Sequence, residues 1–492
     1  MSKLGRRSFL KASVFAGTAA WLSPHSRVLG ANDEVRVGVI GTRNKGGDHC
    51  RQLLGTKGAR LVAICDVDEA MLDKTVEKIG KEQADIKLEK YRDLRKMLEN
   101  KDLDAVVVAT PNHWHILATV WACQAGKDVY VEKPCSYSVW EGRKGVEAAR
   151  KYNRIVQTGT QRRSCPGQRE AFDWINKGNI GKIQHVRALH YQPWPSIGKV
   201  GPQTPPATVD YDLWCGPGPK EPMMRKNLHY DWHWFWNYGN GELANNGVHY
   251  LDLCRWVMGL KAHPTRVLSF GGRFAVDDDG QTPNCQTCWY DFKPFSSVPL
   301  ICEIRGLPDH PIDGKADEKV WKMGAFKGLR GGFIVQCENG YYAGGGGGGW
   351  TYDNKDEKIK KFSGDDGKDH MQNFINVCKT RKLEELNADI LEGHLSAAIC
   401  HLGNISHRVG KVVKADDVAD ATKSDPLVQE CFARFRDNLS KVGLDLTKPL
   451  PVLGPTLNFD PEKEQFSGEF ATEANKLLTR EYRAPFVVPE KV

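Results

Sequence analysis

Five short apolar runs punctuate the first third of the chain and constrain its fold more than any other feature: VRVGVI from Val35, RLVAICD from Arg60, DAVVVAT from Asp104, DVYVE from Asp128 and RIVQTG from Arg154. They are largely apolar and do not alternate, which is the pattern of a strand with helices over both faces. Helix-like patterns separate them at Glu69 to Ile79, His113 to Ala125 and Val139 to Tyr152. Strands alternating with helices make crossover units on a parallel sheet. The runs therefore predict an α/β domain with a Rossmann-type parallel sheet over residues 32–159.

Beyond that point longer β-like segments follow one another: KIQHVRALHY, TRVLSFGG, QTCWYDF, LICEIRG and GGFIVQC. Helical patterns lie near Gly167 to Lys177, Leu243 to Met258, Asp369 to Thr380 and Asp389 to Arg408. Strands in series predict an α+β domain with a largely antiparallel open sheet over residues 160–415. The Pro-rich stretch VGPQTPPATVDYDLWCGPGPKEP and the tract YAGGGGGGW read as irregular loops, with Gly344 to Gly349 as a flexible turn. Residues 416–492 are interrupted by prolines and read as an extension wrapping the surface.

A chain of 492 residues that is 40% hydrophobic can bury more than one core. Its formal charge of +8 is spread along the length with acids interleaved, which excludes a basic nucleic-acid-binding arm. The 14 cysteines are scattered, and Cys65 and Cys302 sit inside apolar strand runs, as small core residues do. Cys285 and Cys288 are the closest pair, but three positions apart on a strand they face opposite ways, so no metal site is expected.

The start, GRRSFLKASVFAGTAAWL, sets Arg6 and Arg7 before Phe9, Leu10 and Lys11 and an apolar run from Ala12 to Leu22. The run is shorter than the roughly 20 apolar residues that span a bilayer. It reads as a twin-arginine export signal over residues 1–31, with small residues near Gly30 and Ala31 as a cleavage point. The twin-arginine translocase is then a partner. The expected location is periplasmic, or membrane-tethered if the signal stays on.

The first strand runs into VGVIGTRNKGGDHC, which begins like the dinucleotide fingerprint G-x-G-x-x-G and puts Arg43 where the middle glycine belongs. Gly41 and Gly46 keep the outer positions. Asp66 closes the second strand 25 residues after Gly41, where an acid accepts hydrogen bonds from adenosine ribose hydroxyls. Arg43 is compatible with a bound pyrophosphate only if its side chain turns away, and then it and Lys45 can pair with phosphates. A carboxylate at Asp66 repels a 2'-phosphate, so NAD is the expected cofactor, with Arg43 the residue that would turn the preference to NADP.

Two further motifs end predicted strands: A-T-P-N at Ala109 to Asn112, followed by His115, and E-K-P at Glu132 to Pro134. With the loop they make the chain resemble the glucose-fructose oxidoreductase, inositol dehydrogenase and MocA family of dehydrogenases, from Val35 to about Gly410. The resemblance implies that Thr110, Pro111, Asn112 and His115 line the nicotinamide side. It implies that Glu132 and Lys133 reach the nicotinamide ribose and the reacting carbon, with Pro134 in a turn prone to the cis form. It also implies a homo-oligomer paired through the second-domain sheet.

The run LHYDWHWFWNYGNGELANNGVHYLDL is the densest in aromatics and histidines. Aromatic faces suit a sugar ring, and His or carboxylate groups suit its hydroxyls, so His229, Tyr230, Trp232 and Trp236 are candidate substrate residues. The family resemblance implies an Asp four residues before a His on this helix. His249 matches the histidine, but the other position is Asn245, which cannot take a proton. Acid-base work then falls to Lys133 and His249 as the catalytic pair, or recruits Asp252. Gln161, Arg162 and Arg163 follow the first domain, where they can hold a polar substrate or form interdomain salt bridges.

These features converge on an exported oxidoreductase that transfers hydride between a sugar or polyol carbon and a tightly held NAD. The alternatives are an NAD-assisted glycosidase, which oxidises transiently and eliminates, and a non-catalytic sugar-binding protein on a decayed dehydrogenase, in keeping with Arg43 and Asn245.

Overall fold

A computed structural model describes residues 34–312 and 321–492. The twin-arginine segment lies outside the described residues. Strands β1 (Val35–Ile40), β2 (Ala59–Cys65), β3 (Glu89–Tyr91), β4 (Ala105–Val108), β5 (Asp128–Val131) and β6 (Val156–Thr158) form a six-stranded sheet in the order β3-β2-β1-β4-β5-β6. Every pairing in it is parallel. Five of these strands are the five apolar runs. The sixth, β3, has the sequence EKY and is largely exposed at the sheet edge, so no apolar run marks it.

The helices fall where the patterns place them, at Glu69–Glu82, His115–Gln124 and Val139–Lys151. Asp68 caps the first by accepting from the Ala70 amide, and Ser138 caps the third by accepting from the Glu141 amide. Strand order reverses between β1 and β4, and the crevice beyond the carboxyl ends of those strands is where an open α/β sheet binds its ligand.

The second sheet is built from β7 (Ile183–Tyr191), β8 (Arg266–Gly272), β9 (Cys285–Phe292), β10 (Ser296–Arg305), β11 (Gly331–Cys337), β12 (Gly340–Gly345), β13 (Gly348–Tyr352) and β14 (Lys358–Ser363). Its main order is β14-β13-β12-β11-β7-β10-β9-β8. All neighbours are antiparallel except β7 and β10. One face packs Phe333, Tyr290 and Cys288 against Phe172, Leu251 and Ile399 from the helices Pro166–Asn176, Gly247–Val257 and Ile390–Arg408. Cys285 belongs to the opposite face with Phe270 and Phe274, so the two cysteines do point apart. All 14 cysteines are buried and free.

Three readings need correction. The glycine tract is no loose turn: Gly344 pairs with Gly349 and Gly345 with Gly348 in the β12–β13 hairpin. A Cβ on Gly349 would lie 2.5 Å from the Ala343 carbonyl and from the Tyr342 hydroxyl, so close approach, and not flexibility, requires these glycines.

The tail also does more than wrap the surface. Its strands β16 (Val452–Leu453), β17 (Leu457–Asp460) and β18 (Gln465–Ser467) extend the second sheet, with β16 and β17 pairing to β8 and β16 also to β15 (Lys411–Val412), which precedes the tail. Its helix Pro426–Lys441 lays Phe432 and Phe435 on Phe270. From the same helix Arg434 donates to buried Glu303 at 2.6 Å, so the chain covers part of the sheet face expected to pair subunits. The final residues do wrap, setting Phe486 against Trp114 of the first domain.

Finally, the single helical pattern from Leu243 to Met258 is two helices, Gly241–Asn245 and Gly247–Val257, broken at Asn246. Among the described residues no helix is long and apolar enough to cross a membrane.

Candidate active site

A cleft of about 440 Å³ opens at the carboxyl ends of β1 and β4. It is lined by Gly41, Arg43, Asp66, Thr110, Pro111, Asn112, His115, Glu132, Lys133, Gln161, His229, Tyr230, Trp232, Asn245 and His249. Residues from four predicted motifs thus meet in one place.

The loop after β1 answers the problem of Arg43. Gly41 has φ 83°, and a Cβ there would press on the Ala109 carbonyl at 2.8 Å. Gly46 does not line the cleft. A Cβ on it would lie 1.7 Å from the Gly41 carbonyl, so its role is to let the helix Lys45–Gly55 close on the loop. Arg43 lines the cleft and directs its guanidinium to Asn227 Oδ1, at 3.2 Å. Asp66 accepts from the Thr42 amide at 2.8 Å and the Asp68 amide at 3.0 Å, and burial raises its carboxyl pKa.

Glu132 and Lys133 line the cleft, and a cis Lys133–Pro134 bond follows them. Glu132 Oε1 lies 2.8 Å from His49 Nε2, and the Lys133 amide donates to its other oxygen at 3.1 Å. Burial would raise this carboxyl, but the His49 hydrogen bond and charge, with Lys45 and Lys133, bring it down to about 2. His115 ties two loops together, with Nδ1 2.7 Å from the Pro134 carbonyl and Nε2 2.8 Å from the Thr110 carbonyl.

Lys133 Nζ donates to the Asn245 carbonyl at 2.6 Å. Burial lowers its pKa; Glu132 and Glu242 counter that, while Lys45 and Arg162 add to it. His249 is pushed well below the ordinary imidazole value by burial and by the charges of Lys133, Arg162 and Lys45. Its Nδ1 is buried without a partner, as are Thr110 Oγ1 and Asn112 Oδ1. Orphaned buried polar atoms around a cleft are groups placed for a ligand. With the glycine loop and the Asp66 carboxylate, the set fits a dinucleotide.

Four expectations move. Asp252 is 1% exposed and ion-paired to Arg163 Nη2 at 2.8 Å; it also accepts from Ser396, so it is structural and cannot be recruited. Trp236 lies outside the cleft, its ring beneath the Arg408 guanidinium. Arg162 does not line the cleft either; it pairs with Asp366 at 3.0 Å and stacks on Tyr250. His229 reaches the Asp66 end of the cleft, 2.9 Å from Oδ2 of Asp68, the cap of the helix Glu69–Glu82.

That contact is one of several that carry the Pro-rich connection across to the first domain. Val209 bridges Asp68, the Glu69 amide donates to the Thr208 carbonyl at 3.1 Å, and the Asp210 amide donates to the Val67 carbonyl at 2.9 Å. With His229–Asp68 and Arg43–Asn227 they form a strap over the Asp66 end of the cleft.

Sequence reasoning missed Glu242, which is fully buried beneath the site. It accepts from Asn245 Nδ2 and Asn246 Nδ2, each at 2.7 Å. His190 and His233 Nε2 stand 3.4 and 3.3 Å from its two oxygens. Its spacing of three from Asn245 on one helix face was the signal available. Asn240, also missed, accepts from Asn112 Nδ2 at 2.5 Å.

Comparison with known proteins agrees with this architecture. Residues 35–160 match the family model described as the oxidoreductase family, NAD-binding Rossmann fold, and residues 171–291 match the oxidoreductase family, C-terminal alpha/beta domain. An inositol 2-dehydrogenase from Salmonella paratyphi B is 30% identical over 159 residues, which is 32% of this chain and 46% of that protein. A glycosyl hydrolase family 109 protein from Shewanella sp. strain ANA-3 is 30% identical over 214 residues, 39% of this chain and 46% of that protein. The chain thus spans about half the length of the curated relatives it matches.

Among solved structures, the WlbA dehydrogenase from Bordetella pertussis, in complex with NADH and UDP-GlcNAcA, shares the fold. It has a TM-score of 0.53 and 19% identity, over 74% of this chain and 94% of that one. The myo-inositol dehydrogenase from Lactobacillus casei, in complex with NAD(H) and myo-inositol, gives 0.50 and 17% over 75% and 92%.

Proposed function

Since this chain belongs to the glucose-fructose oxidoreductase, inositol dehydrogenase and MocA family of NAD-binding oxidoreductases, we propose that it moves hydride between a hydroxyl-bearing carbon of a sugar or polyol and a nicotinamide held in this cleft. One observation carries the reading: Lys133 and His249, far apart in the chain, line the same cleft as Gly41 and Asp66.

NAD, when bound, supplies the hydride chemistry. The chain supplies the handling of protons and hydroxyls. The Lys133 amine, held by the Asn245 carbonyl and lowered in pKa by burial, takes the hydroxyl proton. His249, kept neutral by burial and neighbouring cations, accepts a hydrogen bond from an adjacent hydroxyl. Asn112 Oδ1 is a free acceptor for another, and Tyr230 and Trp232 offer aromatic faces to the ring.

Export by the twin-arginine route is part of the proposal and rests on Arg6 and Arg7. It demands a cofactor that does not exchange freely, and the strap from Thr208 to His229 supports that demand. A retained cofactor, together with relatives named as glycosyl hydrolases, favours a second reading in which oxidation is transient and a glycosidic bond is eliminated.

The test is to supply sugars, polyols and their glycosides to the purified protein while following both product and NADH absorbance. Net dehydrogenation gives NADH in step with product; the second reading gives free sugar with no net absorbance change. Under either reading Lys133→Met lowers turnover by about 10² to 10⁴ while NAD stays bound. Full turnover in Lys133→Met would refute the assignment.

A further inference from the structure

Asn245 is held at both ends. Its backbone carbonyl accepts from Lys133 Nζ at 2.6 Å, and its side-chain Nδ2 donates to Glu242 Oε1 at 2.7 Å. Glu242 is fully buried, and an ionised carboxylate accepts and cannot donate. The amide of Asn245 must therefore turn its NH₂ toward Glu242 and present its oxygen to the cleft it lines. Asn246 is held the same way by the other oxygen of Glu242 at 2.7 Å. The Nε2 atoms of His190 and His233, at 3.4 and 3.3 Å, complete the surround of that carboxylate.

We propose that Glu242 is the positioning residue of this site: it fixes Asn245 so that its backbone carbonyl holds Lys133 while its amide oxygen is free to accept from a hydroxyl next to the reacting one. The inference rests on the reading of Lys133 as the proton acceptor. Glu242 never touches the substrate. Its buried charge also supports the ammonium form of Lys133 across the short distance that Asn245 spans. An aspartate at position 245 is incompatible with this arrangement, because two carboxylates would then stand at the 2.7 Å now occupied by a hydrogen bond. The charge of this corner resides at 242, and moving it to 245 requires removing it from 242.

That exchange is the experiment. Wild type, Asn245→Asp, Glu242→Gln and the double variant Glu242→Gln/Asn245→Asp are compared for the pH profile of kcat/KM and for melting temperature. Asn245→Asp alone is expected to lose about 100-fold in kcat/KM and to melt lower, as a buried like-charge pair does. The double variant is expected to recover at least tenfold over Asn245→Asp and to melt above it. In Glu242→Gln the rise of kcat/KM with pH moves to lower pH, because the ammonium of Lys133 has lost its support. A rise that stays in place, with additive losses in the double variant, overturns the proposal. If no substrate turns over in wild type, the proposed function fails by itself, while the coupling in melting temperature still decides the role of Glu242.

Discussion

Asp66 is the residue on which the proposed choice of cofactor turns. Its carboxylate is fixed by the Thr42 and Asp68 amides and keeps lone pairs for ribose hydroxyls. Replacing it with Asn removes the charge that repels a 2'-phosphate and halves the acceptor capacity. Asp66→Asn is expected to weaken NAD binding about tenfold, the scale of one hydrogen bond to a charged group, and to narrow the gap to NADP. Calorimetric titration with both nucleotides checks this, and unchanged affinity for each would count against the assignment. Residues of this kind were legible because a strand end fixes where Asp66 and Lys133 must point. Asp252 and Trp236 were misjudged for the converse reason: sequence shows that a side chain is polar or aromatic, but not that Arg163 or Arg408 has already claimed it. Glu242 went unnoticed because its value depends on two histidines, and the nearer in sequence, His233, is separated from it by the turn at residues 235–239, while His190 comes from β7.

At the scale of elements, the β1 loop and the strap set the two sides of the cofactor cleft. The loop was readable from glycine positions even with Arg43 in place, since Gly41 and Gly46 answer to backbone contacts that any dinucleotide loop makes. The strap was not, because a Pro-rich connection has no periodicity to show where it lands. Its anchor at His229–Asp68 spans the two domains at 2.9 Å. His229→Gln is expected to speed release of bound NAD about tenfold while leaving kcat nearly unchanged, measured by chasing with labelled nucleotide. An unaltered release rate would remove the strap from any account of cofactor retention. The glycine hairpin teaches the same lesson in reverse: six glycines look flexible in sequence, but the pairing of β12 with β13 and the contact with Tyr342 use them as packing surfaces.

Over the whole molecule, buried histidines set the response to acid. Burial lowers His113 and His401 to about 3, and His370 and His394 to about 4. Each binds a proton on unfolding between its folded pKa and the unfolded value near 6.5. Stability is therefore fully present above that value and is lost as pH falls toward 4. Glu141, raised to about 7 by burial, works the other way with a single proton. Melting temperature is expected to fall steadily from pH 6.5 to pH 4.5, before the carboxylates of Glu132 and Glu303, both lowered to about 2, begin to protonate. A flat profile over that interval would contradict the burial pattern. A largely buried clasp, in which His263 Nε2, His394 Nε2 and Arg143 Nη2 all meet Glu464 Oε1 at 2.6–2.7 Å, holds the tail. A guanidinium on that oxygen opposes a metal cation, and the clasp pins the β17–β18 turn to the core.

All three scales depend on a nicotinamide lying between Lys133 and His249, and a crystal structure of the purified protein with NAD tests that most directly. The nicotinamide ring is expected over the β4 and β5 strand ends, its reactive carbon facing Lys133 Nζ with room for a polyol carbon between them, and the adenosine ribose on Asp66. Density for the nucleotide elsewhere, or a ring turned away from Lys133 with His249 out of reach, would contradict it.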